Sequence, residues 1–503
     1  MPNYRNLNQA LRESCREASE QFYISMGDIE GTQARKLAQI VNQNSETDFG
    51  KRFGFSRIKS IVDFRSAVPI TTYEDYEDYV AQIADGKEGV LTRNRVLMLE
   101  PTSGSTSPSK FIPYTASLKK EFQAGIFPWL YDLLSKRPGL TKGSFYWSIT
   151  PASHQQERTS GGIPIGFGDD GAYFTDEQKV LISQLSAVPF DVAQIQDIEE
   201  FRRQTLAYLT SNKDLVFISI WNPTFLSLLL RPLRNPGEVW PNLSLISSWA
   251  DGNAAHYVRD IARLFPGVEI QPKGLIATEG FISLPLTGYE SSALSVNSHF
   301  FEFRNTENKR DIKLAHEVEA GKEYEVILTT GGGFYRYNLE DVVRVVGFKD
   351  QCPMLRFVGR NRGVSDLFGE KLNELHVARA LSQVFQQHTI APSFFMMAPD
   401  KKDNQDVPFY TLFLETKRQV DAEAVSADLD KLLQENYHYR YCRRLGQLEK
   451  PKVFLIEANP KRSASDIYLE ESRLRGKKIG NVKPAALSSQ LGWSKKFGGR
   501  FIS

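Results

Sequence analysis

Cysteine is almost absent from this 503-residue chain, which has only Cys15, Cys352 and Cys442, widely separated. That excludes a disulfide framework and a cysteine-based zinc site. Histidine is scarce too: seven residues, with no H-x-x-x-H or H-x-H pairing, which argues against a transition-metal centre. No apolar run approaches transmembrane length, and Phe225–Leu230 is itself broken by Ser227. The first 26 residues are polar and charged, without the apolar core of a secretory signal. An excess of either charge is missing: 62 basic against 60 acidic residues gives a net charge of +2, so neither nucleic acid nor an anionic membrane is implied as a partner. The basic clusters Arg440–Arg444 and Arg473–Lys483 read as solvated faces. The expectation is a cytoplasmic protein in a reducing compartment. Two motifs are missing as well. Without G-x-x-x-x-G-K-[ST] an ordinary P-loop NTPase is disfavoured, and without G-x-S-x-G or a nearby histidine so is a serine hydrolase.

The most informative segment present is T-S-G-S-T-S-P-S-K, Thr102 to Lys110. It follows the apolar run Val96–Leu99, which reads as a buried strand, and combines hydroxyls, a glycine and a terminal lysine. Such a loop can offer N–H and hydroxyl donors to phosphate oxygens with a mobile cation at its end; a plain turn has the same composition.

At this length two or more domains are expected. Residues 5–45 read as helices, and Val68–Gly86 as a turn and helix with Thr72 as N-cap and Gly86 beyond the C-cap. After a helix from about Ala116, strands at Ser144–Ile149, Leu215–Ile220, Leu243–Ser247 and Val268–Ala277 alternate with helices at Ile198–Leu209, Pro223–Leu230 and Ala254–Phe265. That alternation predicts an α/β sheet with ligands beyond the strand ends. Residues 299–358 read as strands with little helix. Beyond them, helices at Leu372–Phe385, Val420–Leu433 and Ser465–Leu474 and strands at Phe394–Ala398, Pro408–Glu415 and Lys452–Glu457 make a compact α+β unit. The expected organisation is a large α/β domain over 1–359 with a β-rich section, a hinge over 360–370 and a small, mobile α+β domain over 371–503.

Four further segments can carry chemistry. W-P-N at Trp240–Asn242 precedes D-G-N-A-A-H-Y-V at Asp251–Val258. G-L-I-A-T-E-G, Gly274 to Gly280, ends a strand with Thr278 and Glu279, where a carboxylate beside a phosphate loop would hold a hard cation such as Mg2+. The bland alternative is a turn with an exposed glutamate. In T-T-G-G-G-F-Y-R-Y-N-L-E-D-V-V-R-V-V-G-F, Thr329 to Phe348, Asp341 can accept hydrogen bonds from a ribose diol and Tyr335 can stack on a purine; a β-hairpin turning at Gly331–Gly333 is expected either way. F-V-G-R-N-R-G, from Phe357, puts Arg360 and Arg362 on a connector that serves as a hinge, a polyphosphate contact or a plain linker.

Taken in order, V-P-I-T-T-Y-E-D-Y, I-A-D-G, T-S-G-S-T-S-P-S-K, W-P-N, D-G-N-A-A-H-Y, A-T-E-G and Y-R-Y-N-L-E-D-V-V-R-V-V-G-F with F-V-G-R resemble the plant auxin-responsive Gretchen Hagen family of acyl acid amido synthetases, a branch of the acyl-adenylate-forming superfamily. The resemblance runs from about Val68 to Val377 and more faintly to Lys483. It implies an ATP- and Mg2+-dependent ligase that joins a small carboxylic acid, through acyl-AMP, to an amine such as an amino acid, and a monomer is expected. By position it implies that Ser103, Ser105, Thr106 and Lys110 hold ATP phosphates. Thr278 and Glu279 fall where the α-phosphate and Mg2+ bind, Tyr335 near the adenine and Asp341 on the ribose. Arg360 belongs to the hinge motif, and Lys483 in G-N-V-K-P to the lysine that serves adenylation. Ser107-Pro108 departs from the glycine- and glutamate-rich plant loop, and A-T-E-G from Ser-Ser-Glu. The alternatives are a coenzyme A ligase forming a thioester and a non-catalytic nucleotide-binding protein. Phe127–Leu134 and Trp221–Leu229 are the candidate acyl-pocket stretches, and helix packing explains them equally well.

Overall fold

The computed structural model describes residues 3–502 apart from 103–109, 149–156, 167–172, 196, 253, 362–363, 368, 402–406, 460–461, 476–481 and 483–484. It has the α/β class expected from the alternating pattern. Contacts divide the chain into one unit of Met1–Trp221, Leu229–Trp249 and Ala262–Phe357, and another of Asn222–Leu228, Ala250–Ile261 and Val358–Ser503. The division falls inside the strand Cys352–Arg360. No helix among the described residues is long and apolar enough to cross a membrane.

The first unit holds a four-stranded parallel sheet in the order Ser144–Trp147, Leu215–Ser219, Leu245–Ser248, Glu269–Pro272. Its central strands are buried along their whole length, as parallel strands covered on both faces must be. The 21-residue helix Ala116–Lys136 packs against the N-terminal helices Tyr4–Ser14 and Arg16–Ser25. It starts where Thr115 accepts a hydrogen bond from the N–H of Leu118. The β-rich section is a seven-stranded sheet in the order Ile312–Leu314, Phe300–Asn305, Glu323–Thr329, Tyr337–Lys349, Cys352–Arg360, Ser292–Leu294, Ser283–Pro285.

Two sequence motifs far apart in the chain are joined here. Arg336 is buried, and its guanidinium makes a two-pronged ion pair with Glu302 at 2.8 and 3.0 Å. Its remaining donors reach the carbonyls of Arg65 at 3.0 Å and Val68 at 2.8 Å. Thr71 donates its N–H to the carbonyl of Arg336, and Asn338 donates its N–H to that of Thr71. The Tyr76 hydroxyl both accepts from the N–H of Tyr335 and donates to its carbonyl. V-P-I-T-T-Y-E-D-Y and Y-R-Y-N are therefore one hydrogen-bonded unit.

In the second unit, a four-stranded sheet runs in the order Pro392–Asp400, Phe409–Thr416, Lys452–Ile456, Gly499–Ile502, with antiparallel, parallel and antiparallel pairings. Strand alternation sends Phe395, Met397, Leu412 and Leu414 into a core with the helices Glu374–Gln387 and Ala422–Leu433. Phe394, Met396 and Phe413 go to the opposite face, against Trp493 and the helix Ala464–Leu474. The outer strand Pro392–Asp400 is covered by backbone: Met397 donates to the carbonyl of Ala486, and Ser488 donates to that of Met397.

The structure departs from the sequence reading in several places. Val96–Leu99 belongs to a two-stranded ribbon, paired with Phe111–Thr115, and Leu97 is exposed, so the strand is only half buried. Val268–Ala277 is two strands, because Gly274 takes φ +78° and a Cβ there would lie 2.4 Å from the carbonyl oxygen of Ser283. Leu372 and Asn373 form a short strand, and Asn373 caps the helix behind it by accepting from the N–H of His376. Arg440–Arg444, expected as a solvated face, lies in the helix Tyr437–Arg444. Arg443 in it pairs with Asp430 at 2.8 and 3.0 Å.

Two predictions follow from this packing. All three thiols are free and buried, and burial pushes Cys15 and Cys352 up to about 12. Native protein at pH 8 should show almost no reaction with a thiol-disulfide reagent, since only about one in ten thousand of the Cys15 and Cys352 thiols is ionised and Cys442 is buried with its thiol raised too; denatured protein should release three equivalents. Glu302→Ala strips the buried Arg336 of its carboxylate and should cost about 3–5 kcal/mol, lowering the midpoint of thermal unfolding by roughly 4–7 °C. An unchanged midpoint in differential scanning fluorimetry would show that the pair is not holding the two motifs together.

Candidate active site

The parallel strands of the first unit end at Trp147, Ser219, Ser248 and Pro272. In such sheets ligands collect beyond these carboxyl ends. The chain leaving Pro272 forms a tight hairpin in which Ala277 pairs with Gly280. Thr278 and Glu279 are its two tip residues, both half-buried. Small residues on either side have a steric reason: a Cβ at Gly280 would lie 2.8 Å from Nε2 of His299.

A buried relay holds this hairpin. Phe281 donates its N–H to Nε2 of His299 at 2.9 Å, which leaves Nδ1 to donate to Glu121 at 3.0 Å. Glu121 also accepts the N–H of Gly331 at 2.9 Å, so one carboxylate on the long helix fixes both the A-T-E-G hairpin and the triple-glycine turn. Gly331–Gly333 forms the turn between Glu323–Thr329 and Tyr337–Lys349, as the sequence predicts.

Tyr337 and Tyr73 lie near Glu279, and Lys110 lies against Tyr73. The Tyr337 hydroxyl lies 3.5 Å from Oε1 of Glu279, at the outer edge of hydrogen-bond distance. Burial, with the charges of Glu77 and Glu279, holds the Tyr73 phenol above its ordinary pKa. Lys110 is buried with its ammonium 4.8 Å from the centre of the Tyr73 ring. It is therefore seated on an aromatic face instead of being the mobile loop end expected from sequence. The Thr102 N–H donates to the Lys110 carbonyl, closing the loop at its base. Ser103, Ser105 and Thr106 lie outside the described residues.

Asp341 is fully buried, four residues beyond Tyr337 on the same strand. A bulge displaces the register between Asn338 and Val342, with Glu340 at φ +61°. Bulges of this kind redirect a side chain out of the ladder. Tyr335 requires a correction. It has no exposed surface, its ring stacks on Phe49 at 4.7 Å with Phe55 edge-on at 5.0 Å, and its hydroxyl donates to the carbonyl of Leu91. It is a core residue and offers no face to a purine. Arg360 is half-buried at the end of its strand in the second unit, and Lys483 lies outside the described residues.

Beside the hairpin lies a cavity of about 50 Å³. Trp129, Trp147, Trp221, Phe281 and Ile276 line it, and so does the buried Lys273. Trp129 and Trp221 come from the two stretches proposed for an acyl pocket; Leu130, Leu133 and Leu134 are core. Sequence reasoning missed Lys273, Tyr337, Tyr73 and the Glu121–His299 relay. The signal for Lys273 was a lone lysine between Pro272 and Gly274 at a strand end. For Tyr337 it was the choice between two tyrosines flanking Arg336. Nothing in the sequence announced the relay.

The GH3 family N-terminal domain matches residues 18–238, its central domain 292–360 and its C-terminal domain 375–490. The chain is 21% identical to indole-3-acetic acid-amido synthetase GH3.2 of Arabidopsis thaliana over 70% of this chain and 78% of that protein. It is 22% identical to jasmonoyl--L-amino acid synthetase JAR4 of Nicotiana attenuata over 68% and 71%. Among solved structures, the GH3.15 acyl acid amido synthetase in complex with 2,4-DB superposes with a TM-score of 0.77 at 18% identity, covering 95% and 94% of the two chains. A 2-hydroxyisobutyryl-CoA ligase in complex with 2-HIB-AMP gives 0.51 at 13%, covering 90% and 86%. The fold is thus shared with an amido synthetase and, more distantly, with an adenylate-forming ligase. With all three domains matched in order over most of its length, the chain belongs to the GH3 family.

Proposed function

We propose that this protein is an ATP-dependent acyl acid amido synthetase. The observation that carries the reading is the continuity of the aromatic cavity with the Thr278–Glu279 hairpin: Ile276 and Phe281, on its two strands, are cavity walls. An acid whose hydrocarbon part fills the cavity presents its carboxylate toward the hairpin tip, where in our reading the α-phosphate of ATP lies.

In the first half-reaction a carboxylate oxygen attacks the α-phosphorus and pyrophosphate leaves, giving acyl-AMP. In the second, an amine, in our reading that of an amino acid, attacks the acyl carbon and AMP leaves. Catalysis then consists of positioning and of charge stabilisation, with no covalent protein nucleophile. Thr278 contacts the α-phosphate, and Lys110 with Ser103, Ser105 and Thr106 serves the phosphates. Asp341 accepts the ribose hydroxyls. Arg360 and Lys483 belong to the hinge over 360–370 and to the mobile small domain, with Lys483 serving adenylation. A single half-buried carboxylate with a phenol beside it suits Mg2+, which takes one or two protein carboxylates and completes its shell with water and substrate phosphates. Glu279 would hold that ion, which when bound supplies charge neutralisation at the phosphates. The free, buried thiols support a reducing, cytoplasmic setting.

Carboxylic-acid-dependent ATP–pyrophosphate exchange tests the reading, followed by a screen of amino acids against coenzyme A as acceptors. Exchange with amide formation is expected. Thioester formation alone would make the protein a coenzyme A ligase, and nucleotide binding without exchange would make it a non-catalytic binder. Glu279→Gln keeps the shape of the hairpin tip and should lower exchange by roughly 100- to 1,000-fold with an unchanged unfolding midpoint. Full exchange activity in that folded variant would remove Glu279 from the chemistry. Asp341→Asn should weaken ATP binding by about 1.5–3 kcal/mol, the usual worth of a hydrogen bond to a charged acceptor. Calorimetric titration with ATP checks this, and wild-type affinity would take Asp341 out of the nucleotide site.

A further inference from the structure

Glu121 and His299 are both buried, and neither has a part in the reaction as written above. Burying two ionisable groups is costly unless they answer a need. The need is visible in the hairpin that carries Thr278 and Glu279. It has two residue pairs, Ile276 with Phe281 and Ala277 with Gly280, and so short a ribbon is marginal on its own. Support comes from a segment outside it. Nε2 of His299 accepts the Phe281 N–H at 2.9 Å, and the Ser298 hydroxyl donates to the Phe281 carbonyl at 2.8 Å. Side chains from beyond the hairpin thus hold both backbone polar groups of Phe281.

His299 is itself fixed. Its Nδ1 donates to Glu121 at 3.0 Å, on the long helix Ala116–Lys136. Gln33, from the helix Ile29–Gln43, donates to the His299 carbonyl at 2.8 Å and accepts the Phe301 N–H at 2.7 Å, so the backbone carrying the ring is pinned as well. Gly125, one turn beyond Glu121 on the long helix, leaves room for the Phe281 ring: a Cβ there would lie 2.2 Å from its Cδ1. The bond to Phe281 also sets a condition on the imidazole. A backbone N–H can only donate, so Nε2 carries no proton and the ring proton sits on Nδ1. Glu121 is the acceptor that keeps it there.

We propose that His299, anchored by Glu121, is a positioning residue for adenylation: by holding the N–H two residues beyond Glu279, it fixes where that carboxylate stands. The proposal rests on the amido synthetase reading for the role of Glu279. It gives the two ring nitrogens different weights. Nε2 acts on the hairpin directly, and Nδ1 acts only by orienting the ring. Glutamine puts an amide oxygen near the place of Nε2 and nothing at that of Nδ1. Asparagine puts an amide near the place of Nδ1 and nothing at that of Nε2. Each substitution gives up one buried hydrogen bond, so a pair that served folding alone would lose about as much from either. A positioning residue does not.

The test compares the full-length wild type with His299→Gln and His299→Asn. Amide deuteration, read by mass spectrometry over peptides covering Phe281, reports the hairpin without any ligand. ATP–pyrophosphate exchange across a panel of carboxylic acids reports the chemistry, and unfolding midpoints are taken on the same preparations. In His299→Gln the Phe281 amide should stay protected and the maximal rate should remain within a few-fold of wild type. In His299→Asn that amide should take up deuterium at least ~10-fold faster, as a buried N–H left without its acceptor does. The maximal rate should fall about 100-fold, the effect of a misplacement of about 1 Å, with the Michaelis constant for ATP within a few-fold. Equal losses of rate in the two variants overturn the proposal. So does a loosened Phe281 amide in His299→Asn with a wild-type rate, which would make the pair a matter of folding alone. Where only one variant folds it decides by itself: a ~100-fold loss in His299→Gln, or a wild-type rate in His299→Asn, overturns the proposal. Failure of both to fold makes the pair a requirement of the fold and has the same result. A wild type that exchanges with no acid refutes the amido synthetase reading, and the proposal falls with it. Variants that do not differ refute the proposal and leave the reading standing.

Discussion

The guanidinium of Arg336 is the contact on which the candidate site depends. It sits at the left-handed φ of +50°, buried, between the carboxylate of Glu302 on one strand and the carbonyls of Arg65 and Val68 from a helix end near the start of the chain. A charge of this kind is costly to bury and cheap to keep only while all its partners are present. It forces the segment around Val68–Tyr76 onto the start of the strand Tyr337–Lys349. Tyr73 then comes beside Lys110, and Tyr337 beside Glu279. The placement of V-P-I-T-T-Y-E-D-Y against Y-R-Y-N is set by one desolvated ion pair and the stitches around it.

The second unifying element is Glu121, which ties the A-T-E-G hairpin to the triple-glycine turn through His299. Each device anchors a carboxylate on a regular element, Glu302 on a strand and Glu121 on the long helix, and fixes a turn with it. That is how a scaffold holds loop residues closely enough for phosphoryl chemistry, in which positioning makes up most of the catalysis.

Much of this was legible in the sequence, for identifiable reasons. The α/β sheet was visible because short strand segments such as Leu215–Ile220 alternate with helical ones, and period and length suffice for that. The hairpin at Gly331–Gly333 was visible because glycine has few other uses at such density. Asp341 and Glu279 stood out as carboxylates in apolar or small-residue surroundings. What failed was whatever depends on contacts between distant segments. Tyr335 and Tyr337 are equivalent on paper and both are buried; only the fold shows that the Tyr335 hydroxyl is spent on the carbonyl of Leu91 while that of Tyr337 turns to Glu279. Lys273 reads as an ordinary surface lysine until Trp129, Trp147 and Trp221, from three separate stretches, close around it. The strand Phe111–Thr115 was missed because its pairing partner lies across the loop and its own sequence leads straight into a helix.

The backbone bonds that Ala486 and Ser488 make with Met397 carry a further consequence. Pro392–Asp400 is the outer strand of its sheet, with apolar side chains on both faces, the kind of edge that recruits a strand from another molecule. The chain's own tail occupies that edge. The stretch just after G-N-V-K-P is therefore answerable to solubility, because a change that loosens it uncovers a sticky ribbon. Substitutions there would be filtered for keeping the protein dispersed in a crowded solution, independently of any part the neighbouring lysine plays in chemistry.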